Sequence, residues 1–306
     1  MRSVLMLAAV LAVGCGAAAW FLSAPRPVFP LHRPVKLAPG DVSRGALIFA
    51  AGDCASCHAS PGQSNRKMLG GGMALSSPFG TFYPPNISPD PKDGIGSWTT
   101  ADLANALLAG VSPRGTHYYP LFPYTFFLHM RLQDVEDLMA YLRTLPPVSG
   151  RPPSHDLPLF FKFRRAIGLW KIFFFDRSPL GDEPAKGEAW NRGRYLVEGV
   201  GHCAECHSTR NPVGAIEAHT RLAGGPDPSG VGYIPNITPG GIGSWSVRQI
   251  SDALGTGITP ELRALGSSMA DVVHNLSMLP QSDRDAIAVY LKSLPAKPTS
   301  DPHAAQ

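Results

Sequence analysis

The pentapeptide Cys-x-x-Cys-His occurs twice in this chain, at residues 54–58 and 203–207. Two thiols at this spacing, directly followed by a histidine, are typical of covalent attachment of a c-type haem. The thiols can add to the two vinyl groups of one porphyrin, and the imidazole is then placed to bind the iron. The sequence therefore predicts two covalently attached haem c groups. Their predicted attachment and ligand residues are Cys54, Cys57, His58, Cys203, Cys206 and His207.

Two other interpretations of paired cysteines fit the sequence less well. A thioredoxin-like redox pair would lie in a βαβ pattern, and none is evident. A zinc site would need a second ligand pair nearby, whereas the two motifs lie in different halves of the chain, each with its own matching surroundings. Haem attachment is therefore the favoured interpretation of both motifs.

The length, charge and cysteine content of the chain limit the kinds of protein that it can be. The chain has 306 residues, which favours about two domains. Only 16% of its residues are charged, its net charge is +4, and it lacks a run of Lys and Arg, so we expect no nucleic-acid partner. Four of the five cysteines belong to the two motifs and the fifth, Cys15, lies near the N-terminus, which leaves no cysteines for a disulfide framework.

The N-terminal segment, residues 1–24, is predicted to be a signal peptide or a membrane anchor. Arg2 precedes a stretch without charges from residue 4 to residue 22, a length compatible with either role. Cys15 follows a sequence loosely like a lipoprotein cleavage site. A proline-rich spacer follows at residues 25–40. We expect the protein to be exported and either held at a membrane through its N-terminus or secreted.

The rest of the sequence is an internal duplication. Each half has an Arg-Gly pair before its haem motif, a Pro-Asn-Ile-Ser/Thr-Pro segment after it, and then Gly-Ile-Gly-Ser-Trp. The pairs are Arg44-Gly45 and Arg192-Gly193, and the two arginines are expected to meet haem propionates or to lie on exposed helix faces. The predicted fold is all-α, with two tandem domains at residues 41–147 and 188–297, each wrapped around one haem. A linker at 148–187 joins them, and a tail follows at 298–306.

Capping residues and apolar periodicity predict where the helices lie. Thr99 or Thr100 can begin one helix that runs to about Ala109, and Ser246 can begin another that runs to about Leu254. Each half then closes with an amphipathic helix stopped by a proline, at residues 134–146 and 282–295.

The order of these motifs resembles that of the cytochrome c subunits of periplasmic bacterial alcohol, gluconate and aldehyde dehydrogenases. The resemblance covers about residues 40–296 and includes the terminal Tyr-Leu-x-x-Leu-Pro of each half. It implies two class I cytochrome c domains that carry electrons. It also implies a periplasmic dehydrogenase as donor and a terminal oxidase, another cytochrome or quinone as acceptor. Those subunits usually carry three haem domains, and this chain has two, as in the stand-alone dihaem members of the group.

Met269 is the predicted sixth iron ligand of the second haem. It lies in Gly-Ser-Ser-Met-Ala-Asp-Val-Val, similar to the segment whose methionine binds iron in that family. Met278, directly before the last helix, is the competing methionine, and a packing role is expected for it.

The sequence alone does not decide which residue is the sixth iron ligand of the first haem. The place matching Met269 falls at or near Phe122, and phenylalanine cannot bind iron. Met130 is the predicted ligand, provided that the loop rearranges. His117, His129 and an open coordination position are the alternatives.

The linker contains an unusual stretch at residues 159–175 that mixes many aromatic side chains with Lys and Arg. It is expected to be mostly buried against both domains and to set the distance between the two haems. The alternatives are a surface for an anionic membrane or for a partner protein.

Electron transfer through two haems is the predicted function, with no catalytic residues in the chain. The rival prediction is a dihaem redox enzyme, either a peroxidase or a sulfur-compound dehydrogenase, that uses an open or weakly ligated first haem. The place occupied by Phe122 supports this rival, but no acid–base cluster is evident beside it in the sequence.

Overall fold

The computed structural model describes residues 1–227 and 232–299, so most of the predicted tail lies outside the described residues. The described chain is mostly helical, as expected. The α-helices are α1 (Arg2–Leu22), α2 (Val42–Ala51), α3 (Cys54–His58), α4 (Thr100–Ala109), α5 (Tyr124–Phe127), α6 (Leu132–Leu142), α7 (Arg165–Phe174), α8 (Glu188–Tyr195), α9 (Pro239–Ile242), α10 (Val247–Thr256), α11 (Ser268–Leu276) and α12 (Gln281–Ser293).

The strands among the described residues are short and form two antiparallel pairs. β1 (Leu75–Ser77) pairs with β2 (Gly80–Phe82), and β3 (Gly225–Pro226) pairs with β4 (Tyr233–Ile234). Short 3-10 turns lie at Leu159–Lys162, Pro184–Lys186, Cys203–Glu205 and Ala218–Thr220, and a π-helical turn lies at Leu196–Val200.

The predicted capping residues begin the predicted helices. Thr99 caps α4, where its hydroxyl accepts a hydrogen bond from the Asp102 backbone N–H and the Asp102 carboxylate accepts from the Thr99 backbone N–H. Ser246 and Gln249 form the same reciprocal box at the start of α10. Because these caps satisfy backbone donors that a helix leaves unpaired, the two helices start where the sequence predicts.

The first and last helices of each half cross at a glycine. α2 packs on α6 in the first half, and α8 packs on α12 in the second. A Cβ on Gly45 would overlap the backbone of Asp137 and lie 2.8 Å from the Tyr141 Cβ, and a Cβ on Gly193 would overlap the carbonyl of Ala286 and lie 2.8 Å from the Tyr290 Cβ. Only glycine allows the backbones to approach so closely, which explains the repeated Arg-Gly pair.

The arginines of these pairs bind carboxylates of the protein itself. Arg44 Nε donates to Asp137 Oδ2 at 2.7 Å. Arg192 donates from Nε and Nη2 to the two carboxylate oxygens of Asp283, at 2.8 and 2.7 Å. Each ion pair joins the first helix of a half to its last helix. The Arg44 side chain is 58% exposed, as expected for a helix face, and the contact of these arginines with haem propionates stays a prediction.

The two halves share one hydrophobic core. Buried side chains of α2, of the turn after α8, and of α11 belong to a single cluster, including Ile48, Val200 and Leu276. The Tyr195 hydroxyl of α8 donates to Asp134 of α6 and accepts from the Arg131 backbone N–H at 3.1 Å. These contacts fix one half against the other.

α1 and the linker lie at the edge of this core. α1 is 21 residues long with a mean hydropathy of 2.2 and none of its residues is buried. It is long and apolar enough to cross a membrane, a property that signal sequences share. In the linker, Phe160 and Phe173 are each 78% exposed. The expectation that this stretch is mostly buried is therefore wrong for its outer face.

Candidate functional site

The two motif histidines are held in the same way. His58 Nδ1 lies 2.8 Å from the carbonyl oxygen of Pro85, and His207 Nδ1 lies 2.7 Å from that of Pro235. A carbonyl can only accept, so each Nδ1 carries the proton and each Nε2 keeps its lone pair. Burial lowers the pKa of both imidazoles, which favours the neutral form. Neutral imidazoles oriented by a backbone carbonyl are the usual arrangement of metal-binding histidines.

The Pro-Asn-Ile segments hold those carbonyls in place. Asn86 donates from Nδ2 to the Val148 carbonyl at 2.6 Å, and its Oδ1 accepts from the Ser88 backbone N–H at 2.9 Å. Asn236 repeats this with the carbonyl of Lys297 and the N–H of Thr238. Asn86 and Asn236 are each 3% exposed, and both the NH2 group and the oxygen of each side-chain amide are hydrogen-bonded, so the two asparagines fix these loops.

The four motif cysteines are free thiols in the structure. The residue before each motif has a left-handed backbone, with φ of 51° at Asp53 and 41° at His202, so the two motifs also begin alike. Burial raises the pKa of Cys54 and Cys203 to about 12, which keeps them protonated at neutral pH. Two cysteines followed by an oriented histidine, in the same local frame in both halves, fit the covalent attachment of a haem in each half.

One continuous cavity of about 1790 Å³ reaches both motifs. Cys57 of the first motif lines it together with Cys203, Cys206 and His207 of the second. Met269 lines the same cavity, as do Trp245 and the apolar side chains of α10 and α12. The predicted iron ligands of the second half, His207 and Met269, therefore line one cavity, which also extends to Cys57 of the first motif.

Backbone hydrogen bonds show which residues of the two halves correspond. The Tyr118 N–H donates to the Gly110 carbonyl, and the Leu265 N–H donates to the Gly257 carbonyl, after equivalent β-bridges. Four residues further on stand Phe122 and Met269. The structure therefore agrees with the sequence that Phe122 occupies the place of Met269.

The same comparison places Met130 at a packing position. The Met130 N–H donates to the Phe127 carbonyl, as the Leu279 N–H does to the Leu276 carbonyl. Met130 is 6% exposed and Leu279 is 3% exposed, and both belong to the core cluster. Because Met130 occupies the place of a buried leucine, the structure favours a packing role for it. That Met130 binds iron stays a prediction.

The two alternative histidines of the first half face other parts of the molecule. His117 Nε2 donates to the Ser23 carbonyl at 2.9 Å, and burial lowers its pKa to about 4. The Cβ of His129 lies beside Gly199 of the second half, and the imidazole lines a small cleft with Arg131 and Tyr195. His117 thus holds the end of α1, and His129 lies where the halves meet.

A polar network that the sequence did not reveal joins the first motif to α11, the helix that carries Met269. Asn275 donates from Nδ2 to Asp53 and, at 3.2 Å, to Ser56 Oγ, which itself donates to Asp53 Oδ1 at 2.6 Å. Arg66 donates to Asp271 Oδ1 at 2.6 Å and to Ser56 Oγ at 3.3 Å. Burial raises the pKa of the Asp53 carboxyl, although its two hydrogen bonds oppose this. The network fixes one predicted ligand of the second half against the attachment helix of the first.

Known proteins are similar in sequence to this chain over most of its length. A protein of Cereibacter sphaeroides named diheme cytochrome c-type is 51% identical over 277 residues, which are 87% of this chain and 92% of that protein. This chain belongs to the cytochrome c family. A family model described as cytochrome c matches residues 42–146 of this cytochrome.

Longer relatives are subunits of dehydrogenases. The fructose dehydrogenase cytochrome subunit of Gluconobacter japonicus is 39% identical over 274 residues, which are 88% of this cytochrome but 54% of that subunit. The gluconate 2-dehydrogenase cytochrome c subunit of Pantoea cypripedii is 34% identical over 271 residues, 85% of this cytochrome and 60% of that subunit. The cytochrome thus spans only 54% and 60% of the lengths of these two relatives. Their printed activities are therefore those of longer proteins.

Replacing Met130 with leucine separates packing from ligation in this cytochrome. Because Leu279 fills the matching place, we expect Met130→Leu to leave the visible spectrum of the reduced protein unchanged and to destabilise the fold by less than about 1.5 kcal/mol. Carbon monoxide difference spectra and thermal unfolding measure both effects. One additional haem equivalent that binds carbon monoxide in the variant would show instead that Met130 is the ligand.

Proposed function

We propose that this chain is a dihaem cytochrome c that carries single electrons from a periplasmic dehydrogenase to the respiratory chain. Two of its relatives are cytochrome subunits of fructose and gluconate dehydrogenases, and another is named a diheme cytochrome c-type. The observation that carries the proposal is the single cavity lined by Cys57 of one motif and by Cys203, Cys206 and His207 of the other. A terminal oxidase, another cytochrome or quinone would be the acceptor.

Residues Cys54, Cys57, His58, Cys203, Cys206 and His207 would hold two haems, whose irons each gain and lose one electron. The carbonyls of Pro85 and Pro235 fix the protons of His58 and His207 on Nδ1, so that each Nε2 is available as a base. A hydrogen-bonded imidazole keeps its orientation when the charge beside it changes, which suits a site that must not rearrange between redox states.

The contacts between the halves support transfer within the chain. Asn275 and Asp271 of α11 bind the groups around the first motif, Asp53, Ser56 and Arg66. α11 also carries Met269, so these contacts hold the predicted axial thioether of the second half at a fixed place relative to the first. Because the separation of two redox centres controls electron transfer between them, a rigid junction is what a relay requires.

We propose that the protein works on the periplasmic side of the inner membrane, where α1 holds it. No residue of α1 is buried, and its end is fixed to the folded body through Ser23, whose carbonyl accepts from His117.

The rival proposal is a dihaem enzyme, a peroxidase or sulfur-compound dehydrogenase, and Phe122 at the place of Met269 favours it. Phenylalanine has no group that binds iron, so the first half would keep a coordination position for a substrate. Its ring instead packs on its aromatic neighbours, with ring centres 5.4 Å from Tyr118 and 5.8 Å from Phe127. The relay is preferred because the relatives named above are a dihaem cytochrome and cytochrome subunits of dehydrogenases.

Reoxidation of the reduced holoprotein tests the relay against the peroxidase. We expect hexacyanoferrate(III), a one-electron acceptor, to take two electrons per chain, and hydrogen peroxide to reoxidise the protein no faster than it does free haem. Stopped-flow absorbance at the haem bands measures both reactions. Rapid, repeated consumption of peroxide by the protein would favour the enzyme.

A further inference from the structure

α7 and the turn before it present an apolar surface to solvent. Its side chains, named here the aromatic face, are Leu159, Phe160, Phe163, Leu169, Ile172 and Phe173. Leu159 is 84% exposed, and Phe160 and Phe173 are each 78% exposed. An exposed group of large apolar side chains of this kind marks a surface that contacts a protein or a membrane.

α7 is amphipathic, but its apolar side chains face outward and its lysine faces inward. Its buried side carries Gly168 and Lys171, while Leu169, Ile172 and Phe173 are exposed. Lys171 Nζ donates to the carbonyls of Ala109 and Gly110 at the end of α4, at 2.7 and 2.9 Å. A surface helix normally turns its apolar side to the core and its charge to water. Because the only lysine of α7 is hydrogen-bonded on the buried side of the helix, the exposed side suits an apolar environment.

The aromatic face adjoins the end of α1. The guanidinium of Arg165, at the start of α7, lies 4.1 Å above the Trp20 ring and donates to the Trp20 carbonyl at 3.0 Å. Ser23, which ends α1, is 3% exposed, and its carbonyl packs on Gly168. Tryptophan at the end of an apolar helix is typical of the boundary between lipid and water. A bilayer crossed by α1 would therefore have its surface at the level of α7.

Positive charge surrounds the same place. Lys162 lies within the turn that begins the aromatic face, and Arg164 and Arg165 follow it after Phe163. Arg177 and Arg26 lie together beyond α7, where Arg177 Nη2 donates to the Arg26 carbonyl at 3.2 Å. Among residues 1–227 and 232–299, no ion pair joins these five cations to a carboxylate. Basic groups around an apolar helix face are complementary to anionic lipid headgroups.

We propose that the aromatic face is a membrane-binding surface that lies in the headgroup region of the anionic bilayer that α1 enters. α7 would lie along that surface with Phe160 and Phe173 among the lipids and with Lys162 and the neighbouring arginines at the phosphates. This inference extends the proposed location, since it rests on α1 entering the same bilayer. Phe160, Phe163, Leu169 and Phe173 also line the cavity that reaches both motifs, whereas Leu159 and Ile172 do not. The aromatic face would therefore form the wall between that cavity and the lipids, and it would hold the cavity close to the membrane.

Chemical labelling of the full-length holoprotein in vesicles tests this surface. Phe160→Cys and Phe173→Cys are made on a Cys15→Ser background, and each is reconstituted at low protein density in vesicles of phosphatidylcholine and phosphatidylglycerol. Gln281→Cys, at the exposed start of α12, is the matched control, because α12 packs mainly on α8 and α10. A water-soluble maleimide polymer then labels each thiol, and the mobility shift in a gel gives the rate.

We expect both phenylalanine variants to react at least roughly tenfold more slowly than the control, because interfacial side chains lie below the headgroups. Equal rates for the three thiols would overturn the proposal. Protection that appears only as protein density rises would also overturn it, since a second copy would then be covering the face. Flotation of the vesicles keeps the two proposals apart: a chain that fails to float refutes the anchoring role of α1, whereas floating with equal labelling refutes the aromatic face alone.

Discussion

Replacing Met269 with leucine is expected to open the sixth coordination position of the second haem iron. Met269 lies in α11 and lines the cavity that also contains His207. Leucine has nearly the same volume, so packing is kept while the thioether is lost. The reduced variant should bind carbon monoxide at one haem equivalent more than the unmodified protein. Its second potential should fall by on the order of 0.1 V or more, because axial ligands set haem potentials over about 0.8 V.

Met278 provides the matched control for this experiment. It lies two residues beyond α11 and is 53% exposed, so Met278→Leu should change neither carbon monoxide binding nor either potential. Difference spectra and redox titrations of the two variants, made side by side, measure both properties. The assignment of Met269 is refuted if its variant behaves like the unmodified protein, and it passes to Met278 if the control responds instead.

Replacing Gly193 with alanine is expected to destabilise the crossing of α8 and α12. The added Cβ would overlap the Ala286 carbonyl and lie 2.8 Å from the Tyr290 Cβ. Both neighbours are fixed, one as backbone and one as a buried side chain, so the helices must separate. Overpacking of this kind costs about 1–3 kcal/mol. The separation would also stretch the ion pair between Arg192 and Asp283, so the loss should lie at the upper end of that range.

Gly181→Ala is the control for this substitution, since a Cβ at that exposed position has no atom within 4 Å. Thermal unfolding followed by circular dichroism should show a melting temperature several degrees lower for Gly193→Ala, at roughly 2–4 °C for each kcal/mol in a protein of this size. Equal melting temperatures for the two variants would mean that α8 and α12 do not cross as closely as the structure shows.

The local features of this fold could be predicted from the sequence because neighbouring residues determine them. Thr99 and Ser246 cap the helices that they were expected to cap, since a capping residue satisfies donors only three residues away. The repeated Pro-Asn-Ile segments could be recognised as loops of equal structure for the same reason. The haem residues were predicted from the motifs alone, and the structure adds the carbonyls of Pro85 and Pro235 that orient the two histidines.

Contacts between distant parts of the chain could not be predicted in this way. Asn275 binds Asp53 across 222 residues of sequence, and Arg44 binds Asp137 across 93. Each of these residues, taken alone, is an ordinary polar side chain. Only the packing of the helices brings the two members of each pair together. The exposure of Phe160 and Phe173 was missed for a related reason, because hydrophobicity alone indicates burial without indicating whether protein or lipid provides it.

The relay depends above all on two haems per chain that both exchange one electron. The most direct test is a spectroelectrochemical titration of the purified holoprotein, together with its intact mass. We expect the mass of the chain plus two covalently bound haems, and two reversible one-electron waves that account for the whole haem absorbance. A mass with a single haem would contradict this account, and so would a second haem that fails to reoxidise.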